Sequence, residues 1–592
     1  MSSNHVHENY RSTSNNGVFQ HKVVRFVGLL VFLVMVLISL KVSTNNGLLY
    51  SFSGGAEQLF NSPSLFLNNI ANSGSYYTTD DANNIKNQAA RRAELVTKSH
   101  QLAEHLQGLQ KQQQQRQIDE ASTTSTDEAS SSTASKKKPL NILILYPDDW
   151  RHDSIGGVAP VVQTPFLNQL AREGIRFTYN MVTTSICWIS RATLFTGQYA
   201  SRHRSYRLRT PVFYDQWNKT SWPALLQQHP THPYYTGHVG KWQYANPNRI
   251  VQTQLFNYTN IFEGQHSYRD GTTGQIISAA HKTYQEVKKF LETRPKSQPF
   301  AITAAFFPPK AIGNSHVPGG QWFPQNSTRE QYYDHQQQQR VPRPYNETDA
   351  YQRLPWFFHK FERGGRSRWE ERFRTDEQYQ AAMKNYYSLI TEVDAACRDI
   401  VHELEQQNIL DETMIIFTTD NGMMLGDRGL AGKWYPYQES IRVPLIVRDP
   451  RMPFDKRNTL DDSLTLNIDL LSTILGAADL DTPDTAQGRD LADLYLPSLL
   501  IKDGNGHNQR LPWRKDFLYE FPLDMGSTMP MSTAVVRKDV KYIRWPQFRN
   551  YTQLFNLTQD PLELNDLWGD AKYADLLREL SHRHAQLMEE IK

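Results

Sequence analysis

Cysteine is nearly absent from this chain: Cys187 and Cys397 are the 2 present in 592 residues. At most one disulfide can form, so no disulfide framework holds the fold and a buried core must do so. An excess of one charge is also missing. The 64 Lys and Arg residues nearly balance the 61 Asp and Glu, leaving a formal net charge of +3 with the two signs interspersed. Without a basic stripe, nucleic acid is excluded as a partner class. The run Lys136-Lys137-Lys138 is too short to act as one and reads as solvated linker. The mean hydropathy of -0.62 is low for a core-forming chain, because a long polar segment follows the N-terminal region. No internal repeat stands out.

One hydrophobic run is long enough to matter for a membrane. Phe26 to Leu40 is apolar except for Gly28 and Ser39, and Val23, Val24 and Val42 extend it. Arg25 and Lys41 near its ends can snorkel to headgroups. Arg11, Lys22 and Arg25 precede or open the run, which favours a cytosolic N-terminus. A cleaved signal peptide is the competing expectation, but Lys41-Val42-Ser43-Thr44 is a poor cleavage site. The expected order is a cytosolic tail (1–22), a transmembrane signal anchor (23–42) and a low-complexity stem (43–138). This makes a single-pass type II membrane protein of the secretory pathway, at the Golgi or cell surface, with its bulk lumenal or extracellular. The stem is rich in Ser, Thr, Asn and Gln and cannot bury enough apolar surface to order itself. Leu95, Leu102 and Leu109 at heptad spacing leave a weak stem-mediated dimer open. Sequons at Asn218, Asn257, Asn326, Asn346, Asn550 and Asn556 all follow the stem and fit a lumenal domain.

From Pro139 onward, short apolar runs alternate with helix-like segments. Asn141 to Tyr146 reads as a strand buried on both faces, as does Met414 to Thr418. Thr164 to Gly174 reads as a helix with Pro165 in its first turn and Gly174 as its stop. Phe300 to Phe307 is another strand, ended by Pro308-Pro309, and Asn385 to Gln407 is a long amphipathic helix carrying Cys397 as a buried small residue. The alternation predicts an α/β domain over 139–500, with a large central, mostly parallel sheet flanked by helices. A small C-terminal α+β subdomain is expected over 501–592. Ligands bind outside the carboxyl ends of such strands, where Asp148, Asp149, Asp420 and Asn421 fall. Three carboxylates and an amide oxygen are hard donors, suited to calcium or magnesium and poorly to zinc.

The segment Ser185-Ile186-Cys187-Trp188-Ile189-Ser190-Arg191-Ala192-Thr193-Leu194-Phe195-Thr196-Gly197 resembles the signature of the sulfatase family. The resemblance continues in family order through Asp148-Asp149, Thr236-Gly237-His238-Val239-Gly240-Lys241-Trp242, Asp420-Asn421-Gly422, Gly432-Lys433 and Glu439 to Leu445. It extends through Asn467-Ile468-Asp469-Leu470, Gln487-Gly488-Arg489, Lys541 to Arg544 and Asp560 to Asn565, covering about Pro139 to the C-terminus. It implies the alkaline-phosphatase-like sulfatase fold and hydrolysis of a sulfate ester, with a sulfated carbohydrate as the substrate class. It implies that Cys187 is oxidised to formylglycine, whose hydrate attacks sulfur. One Ca2+, with Mg2+ as the alternative, would be held by Asp148, Asp149, Asp420, Asn421 and residue 187. If Ser190 and Arg191 open a helix, its N-terminus faces the nucleophile.

Arg191, Lys241 and Lys433 are expected to orient the nucleophile and neutralise sulfate oxygens. The chain departs from the family pattern at three positions. Ile189 stands where proline is usual, Gln243 where a site histidine is usual, and Lys310 where the histidine after the Phe306-Phe307-Pro308-Pro309 strand end is usual. Gln243 can donate to sulfate but cannot shuttle a proton near neutral pH. Lys310 can protonate the leaving alcohol if burial or nearby cations lower its pKa; His238 or His316 are the other candidates at the substrate. Two alternatives are a non-catalytic binder of sulfated glycans and a phosphate or phosphonate ester hydrolase of the same superfamily.

Overall fold

The computed structural model describes residues 139–592 except 207–213, 244–254, 314–316, 335–339, 345–346, 362, 497–500, 503–507, 510–511, 524–528 and 550. In chain order its main elements are β1 (Asn141–Leu145), α1 (Pro165–Glu173), β2 (Ile175–Met181), α2 (Cys187–Thr196), β3 (Tyr235–Gly240), β4 (Tyr258–Ile261), α3 (Ala279–Thr293), β5 (Phe300–Ala305), α4 (Gly364–Arg372) and α5 (Asp376–Gln406). They continue with β6 (Thr413–Thr418), β7 (Leu445–Arg448), β8 (Thr459–Leu466), α6 (Asp469–Ala477), β9 (Asp516–Phe521), β10 (Ser532–Arg537), β11 (Val540–Trp545), β12 (Tyr551–Asn556) and α7 (Ala574–Glu590). The expected tail, anchor and stem, with the Leu95–Leu109 heptads, lie outside the described residues, as do His316, Asn346 and Asn550. Among the described residues no helix is long and apolar enough to cross a membrane.

Strands β1 to β8 form one 8-stranded sheet in the order β8-β2-β7-β6-β1-β5-β3-β4. Strand β7 runs antiparallel to β2 and β6, while the other neighbours pair in parallel. In register, Ile142, Leu143 and Ile144 of β1 face Met414, Ile415 and Ile416 of β6 on one side and Ala301, Ile302 and Thr303 of β5 on the other. Three central strands therefore end level with one another. Side chains alternate between two cores, as strand geometry requires. Leu143, Leu145, Ile302, Ala304, Ile415 and Phe417 join the core formed with α1, α3 and α5. Ile142, Ile144, Ala301, Met414 and Ile416 join the core formed with α2 and α6.

The local reasons for the helices differ in part from those in the sequence. Pro165 does open α1, but Thr164 does not cap it; its hydroxyl accepts from Gly156 N–H at 2.7 Å. The orphan N–H groups of Phe166 and Leu167 instead donate to Asp394 of α5, at 3.0 and 2.8 Å. Gly174 ends α1 without a left-handed turn (φ -131°). A Cβ there would stand 2.1 Å from the Val447 carbonyl oxygen, so glycine is needed for close packing on β7. Helix α5 begins nine residues before the expected Asn385, because Thr375 and Gln378 form a reciprocal capping box ahead of the first apolar turn. Cys397 is fully buried on it. The C-terminal part is an antiparallel meander of β9 to β12 against which α7 packs.

Burial sets opposing pH dependences on this core. It pushes His203 and His238 down to about 3, so below about pH 6.5 the unfolded chain binds more protons and stability falls. Burial also pushes Glu392 up to about 8 and Glu520 up to about 7, so their contribution is complete below about pH 4.3 and is lost as pH rises through those values. The melting temperature, followed by calorimetry from pH 4 to 9, is expected to be highest between about pH 5 and 6.5.

Candidate active site

The level strand ends deliver polar side chains to one edge of the sheet. After β1 come Asp148 and Asp149, after β3 Lys241, after β5 Lys310 and after β6 Asp420 and Asn421. Strand β2 leads to Cys187, the first residue of α2. The helix thus opens three residues earlier than Ser190, and the thiol stands in its first turn. Because β7 is antiparallel to β6, the excursion from Thr419 to Pro444 leaves and re-enters the sheet at the same edge. That excursion carries Lys433.

Cys187 Sγ lies 3.3 Å from Asp148 Oδ1, 3.8 Å from Asp149 Oδ1, 3.3 Å from Lys310 Nζ and 2.7 Å from Lys433 Nζ. Arg191 donates through Nε at 3.0 Å and a terminal nitrogen at 2.8 Å to Asp420 Oδ2, and also to the Lys241 carbonyl at 3.2 Å. Lys241 pairs with Asp148 and stands 3.8 Å from Asp420. Lys433 pairs with Asp149, and Lys310 lies 3.2 Å from Asp149 and 3.7 Å from Asp148. Asn421 Nδ2 donates to Asp149 Oδ1 at 2.8 Å. All are buried except Lys310, which is 22% exposed and marks the opening of the site.

The charges hold one another. Burial disfavours an ionised Asp149, but Lys310 and Lys433 outweigh it and depress its pKa. The same contest at Asp420 is won by Arg191 and Lys241. Burial pushes Lys241 well below the ordinary lysine range, helped by Lys310. Lys310 is partly exposed, and Asp149, Cys187 and Asp420 raise its pKa, where the expected proton donor called for a lowered one. Burial pushes the Cys187 thiol up against the pull of Lys310 and Lys433.

One expected site residue stands elsewhere. His238 turns its Nε2–H to the Lys241 carbonyl at 3.0 Å, and its ring packs on Phe195, Trp242 and Phe256. It supports the lysine from beneath. Gln243 is half-buried at φ 69°, and its Oε1 makes no hydrogen bond among the described residues.

Several positioning groups have no sequence signal. The Asp149 backbone, at φ 61°, is held by Tyr386 Oη donating to its carbonyl at 2.9 Å. His266 Nε2 donates to the Lys310 carbonyl at 2.7 Å while its Nδ1 accepts from Phe323 N–H at 3.1 Å. Trp322 Nε1 donates to the Pro309 carbonyl at 2.9 Å. Asn467, which does lie in one of the family-like motifs, donates through Nδ2 to Ser190 Oγ at 3.0 Å. The Arg191 guanidinium lies 5.0 Å from the Tyr146 ring centre.

The donor set fits a hard divalent cation. Ligand atoms of Asp148, Asp149, Asp420 and Cys187 lie within 4.8 Å of one another, and buried Asn421 Oδ1 has no hydrogen-bond partner among the described residues. Oxygen donors of this kind suit calcium or magnesium. Three carboxylates face Arg191, Lys310 and Lys433 together with Lys241, and a divalent ion would tip the balance positive, which favours an anionic substrate.

The Sulfatase family model matches residues 140–480, more than half of the chain. That of the N-sulphoglucosamine sulphohydrolase C-terminal region matches residues 426–590. An N-acetylglucosamine-6-O-sulfatase of Bacteroides thetaiotaomicron is 24% identical over 513 residues, spanning 76% of this chain and 86% of the relative. A solved structure of a protein bound to its substrate D-glucosamine-2-N,6-O-disulfate superposes with a TM-score of 0.60 at 20% identity, covering 77% of this chain and 98% of that one. The phosphonate monoester hydrolase of Agrobacterium radiobacter gives 0.58 at 20% identity, covering 76% and 96%. At these identities the structural likenesses speak to the fold, which is alkaline-phosphatase-like. The matched span and the family's motifs, in order along the chain, make this protein a member of the sulfatase family, a sulfuric ester hydrolase.

Proposed function

We propose that this chain removes sulfate from a sulfated carbohydrate in the secretory pathway, using residue 187 as formylglycine beside a bound calcium ion. The observation that carries the reading is the environment of Cys187 Sγ: carboxylates at 3.3 and 3.8 Å on one side, lysine ammoniums at 2.7 and 3.3 Å on the other. The thiol marks where the oxidised residue's oxygen would stand. Sulfated sugars are substrates of relatives, and this chain's site suits such an anion. The apolar run over 23–42 and the sequons support a type II anchor and a lumenal or extracellular catalytic domain.

Formylglycine would supply an oxygen nucleophile toward sulfur, and the divalent ion would act as a Lewis acid toward the charge that builds during transfer. Asp148, Asp149, Asp420 and Asn421 would hold that ion. Arg191 fixes Asp420 through two hydrogen bonds. Lys241 and Lys433 neutralise sulfate oxygens as charge builds on them. Lys310, at the opening, gives a proton to the ester oxygen as the sulfur–oxygen bond breaks. The balance is ester plus water to alcohol, sulfate and a proton. Gln243 donates to a sulfate oxygen, which needs no titratable group.

Mass spectrometry of the Cys187 peptide from secreted protein is expected to show an aldehyde in place of the thiol; an unmodified cysteine would sink this mechanism and favour the binder. In parallel, 4-nitrophenyl sulfate is expected to be turned over faster than 4-nitrophenyl phosphate, with the reverse order pointing to the phospho-ester alternative. Lys310→Ala is expected to lower kcat on alkyl sulfates by about 10²- to 10⁴-fold. Its loss on 4-nitrophenyl sulfate, whose leaving group needs little protonation, should be smaller. Saturating calcium is expected to raise the melting temperature by ~2–5 °C, a shift that chelation reverses and Asp149→Asn removes.

A further inference from the structure

Helix α4 has arginines where a packed helix face calls for apolar residues. Gly364, Arg368 and Arg372 form one i, i+4, i+8 stripe, and that side presses on the Lys433 loop. A Cβ on Gly365 would stand 2.4 Å from Tyr435 Oη. Arg368 lies over the Trp434 ring at 4.8 Å, directly beside Lys433. Arg372 lies over the Trp322 ring at 5.3 Å, and Trp322 is the residue that grips the Pro309 carbonyl beside Lys310. The arginines therefore pack on two tryptophans, one following Lys433 in the chain and one holding the carbonyl before Lys310.

Neither arginine is matched by a close acid. Arg372 is 8% exposed, and its one side-chain hydrogen bond among the described residues is from Nε to Gln321 Oε1 at 2.5 Å. Arg368 donates to the Gly364 carbonyl at 2.6 Å. Neither guanidinium has an ion-pair partner among the described residues. The acids of the helix are engaged elsewhere: Glu370 with Arg366 at 3.6 Å, Glu371 as acceptor from Gln321 Nε2 at 3.2 Å. Burial and the neighbouring Arg368 push Arg372 down to about 10, against the pull of Asp149 and Glu371. Two like charges four residues apart repel unless an anion joins them.

We propose that Arg368 and Arg372 form a subsite for a second anionic substituent, sulfate or carboxylate, on the sugar whose scissile sulfate enters between Lys310 and Lys433. The inference rests on the sulfatase reading and narrows its substrate to multiply charged carbohydrates. Each guanidinium offers a planar fork to such a group.

The test is calorimetric titration of the full-length Cys187→Ala protein, which binds without turnover. The probes are glucosamine 6-sulfate, N-sulfoglucosamine 6-sulfate and glucosamine 6-sulfate linked to glucuronate. One doubly anionic probe is expected to bind about 10- to 100-fold more tightly than the monosulfated sugar; which one does so tells sulfate from carboxylate. Arg372→Gln and Arg368→Gln should each cut that ratio at least about 5-fold, with Arg368→Lys intermediate because it keeps charge but loses the fork. Arg368, partly exposed, serves if the buried Arg372 variant does not fold. A ratio near one, a ratio that survives both substitutions, or no binding of any probe overturns the subsite. Turnover of 4-nitrophenyl sulfate by the unsubstituted protein is followed separately. Its absence would remove the hydrolase reading while the affinity ratio still decides the subsite.

Discussion

Three buried carboxylates packed around one side chain cannot all be ionised unless cations stand among them. Asp148, Asp149 and Asp420 meet that condition at the carboxyl edge of the sheet. Arg191, Lys241, Lys310 and Lys433 are each brought there by a different segment. The level ends of β1, β5 and β6 place the acids, and the segments around them place the counter-charges. With a divalent ion bound among them, the positive charges would outnumber the acids, and the site as a whole would attract an anion. A sulfate ester is such an anion, and it can replace part of the negative charge each lysine now leans on.

The excursion between β6 and β7 depends on the C-terminal meander for its shape. Arg428 pairs with Glu439 at 2.9 Å and Glu563 at 3.5 Å, and Glu563 pairs with fully buried Lys541 at 2.5 Å. Lys541 also donates to the Pro436 carbonyl at 2.7 Å. Removing one partner of such a network would strand a buried charge, at a cost of about 3–5 kcal/mol. Tyr519 of β9 donates to the Trp434 carbonyl at 2.7 Å and shares a 2.7 Å hydrogen bond with Ser185. Ser440 Oγ lies 2.9 Å from that same Ser185. One phenol thus links the loop before Cys187 to the loop after Lys433, and the meander helps position the chemistry it does not perform.

Much of this was legible because strands buried on both faces are written as continuous apolar runs, and polar residues that end such runs must lie at a sheet edge. Asp148, Asp149, Asp420 and Asn421 were found that way, and Cys187, Lys241 and Lys433 by their ordered motifs. Lys310 was placed only by its position after the Pro308-Pro309 strand end. His238 was misleading: it sits in the lysine motif, but its ring nitrogen turns to a backbone carbonyl within that motif. The start of α5 was hidden because a capping box is polar, and hydrophobic periodicity begins only after it.

Local chemistry written in neighbouring residues was determined by the sequence itself: which segments are strands, which residues can ligate a hard cation, and which cysteine is set among helix-opening residues. The tertiary structure alone decided which lysine faces which carboxylate, that Gly174 serves a close approach to β7, and that Tyr386, His266 and Tyr519 hold the site. It alone also placed the Arg368–Arg372 pair beside the two lysine loops. Such relations join residues tens to hundreds of positions apart and arise only when the sheet order and the antiparallel return of β7 bring distant segments to one edge. No spacing within the chain encodes that distance.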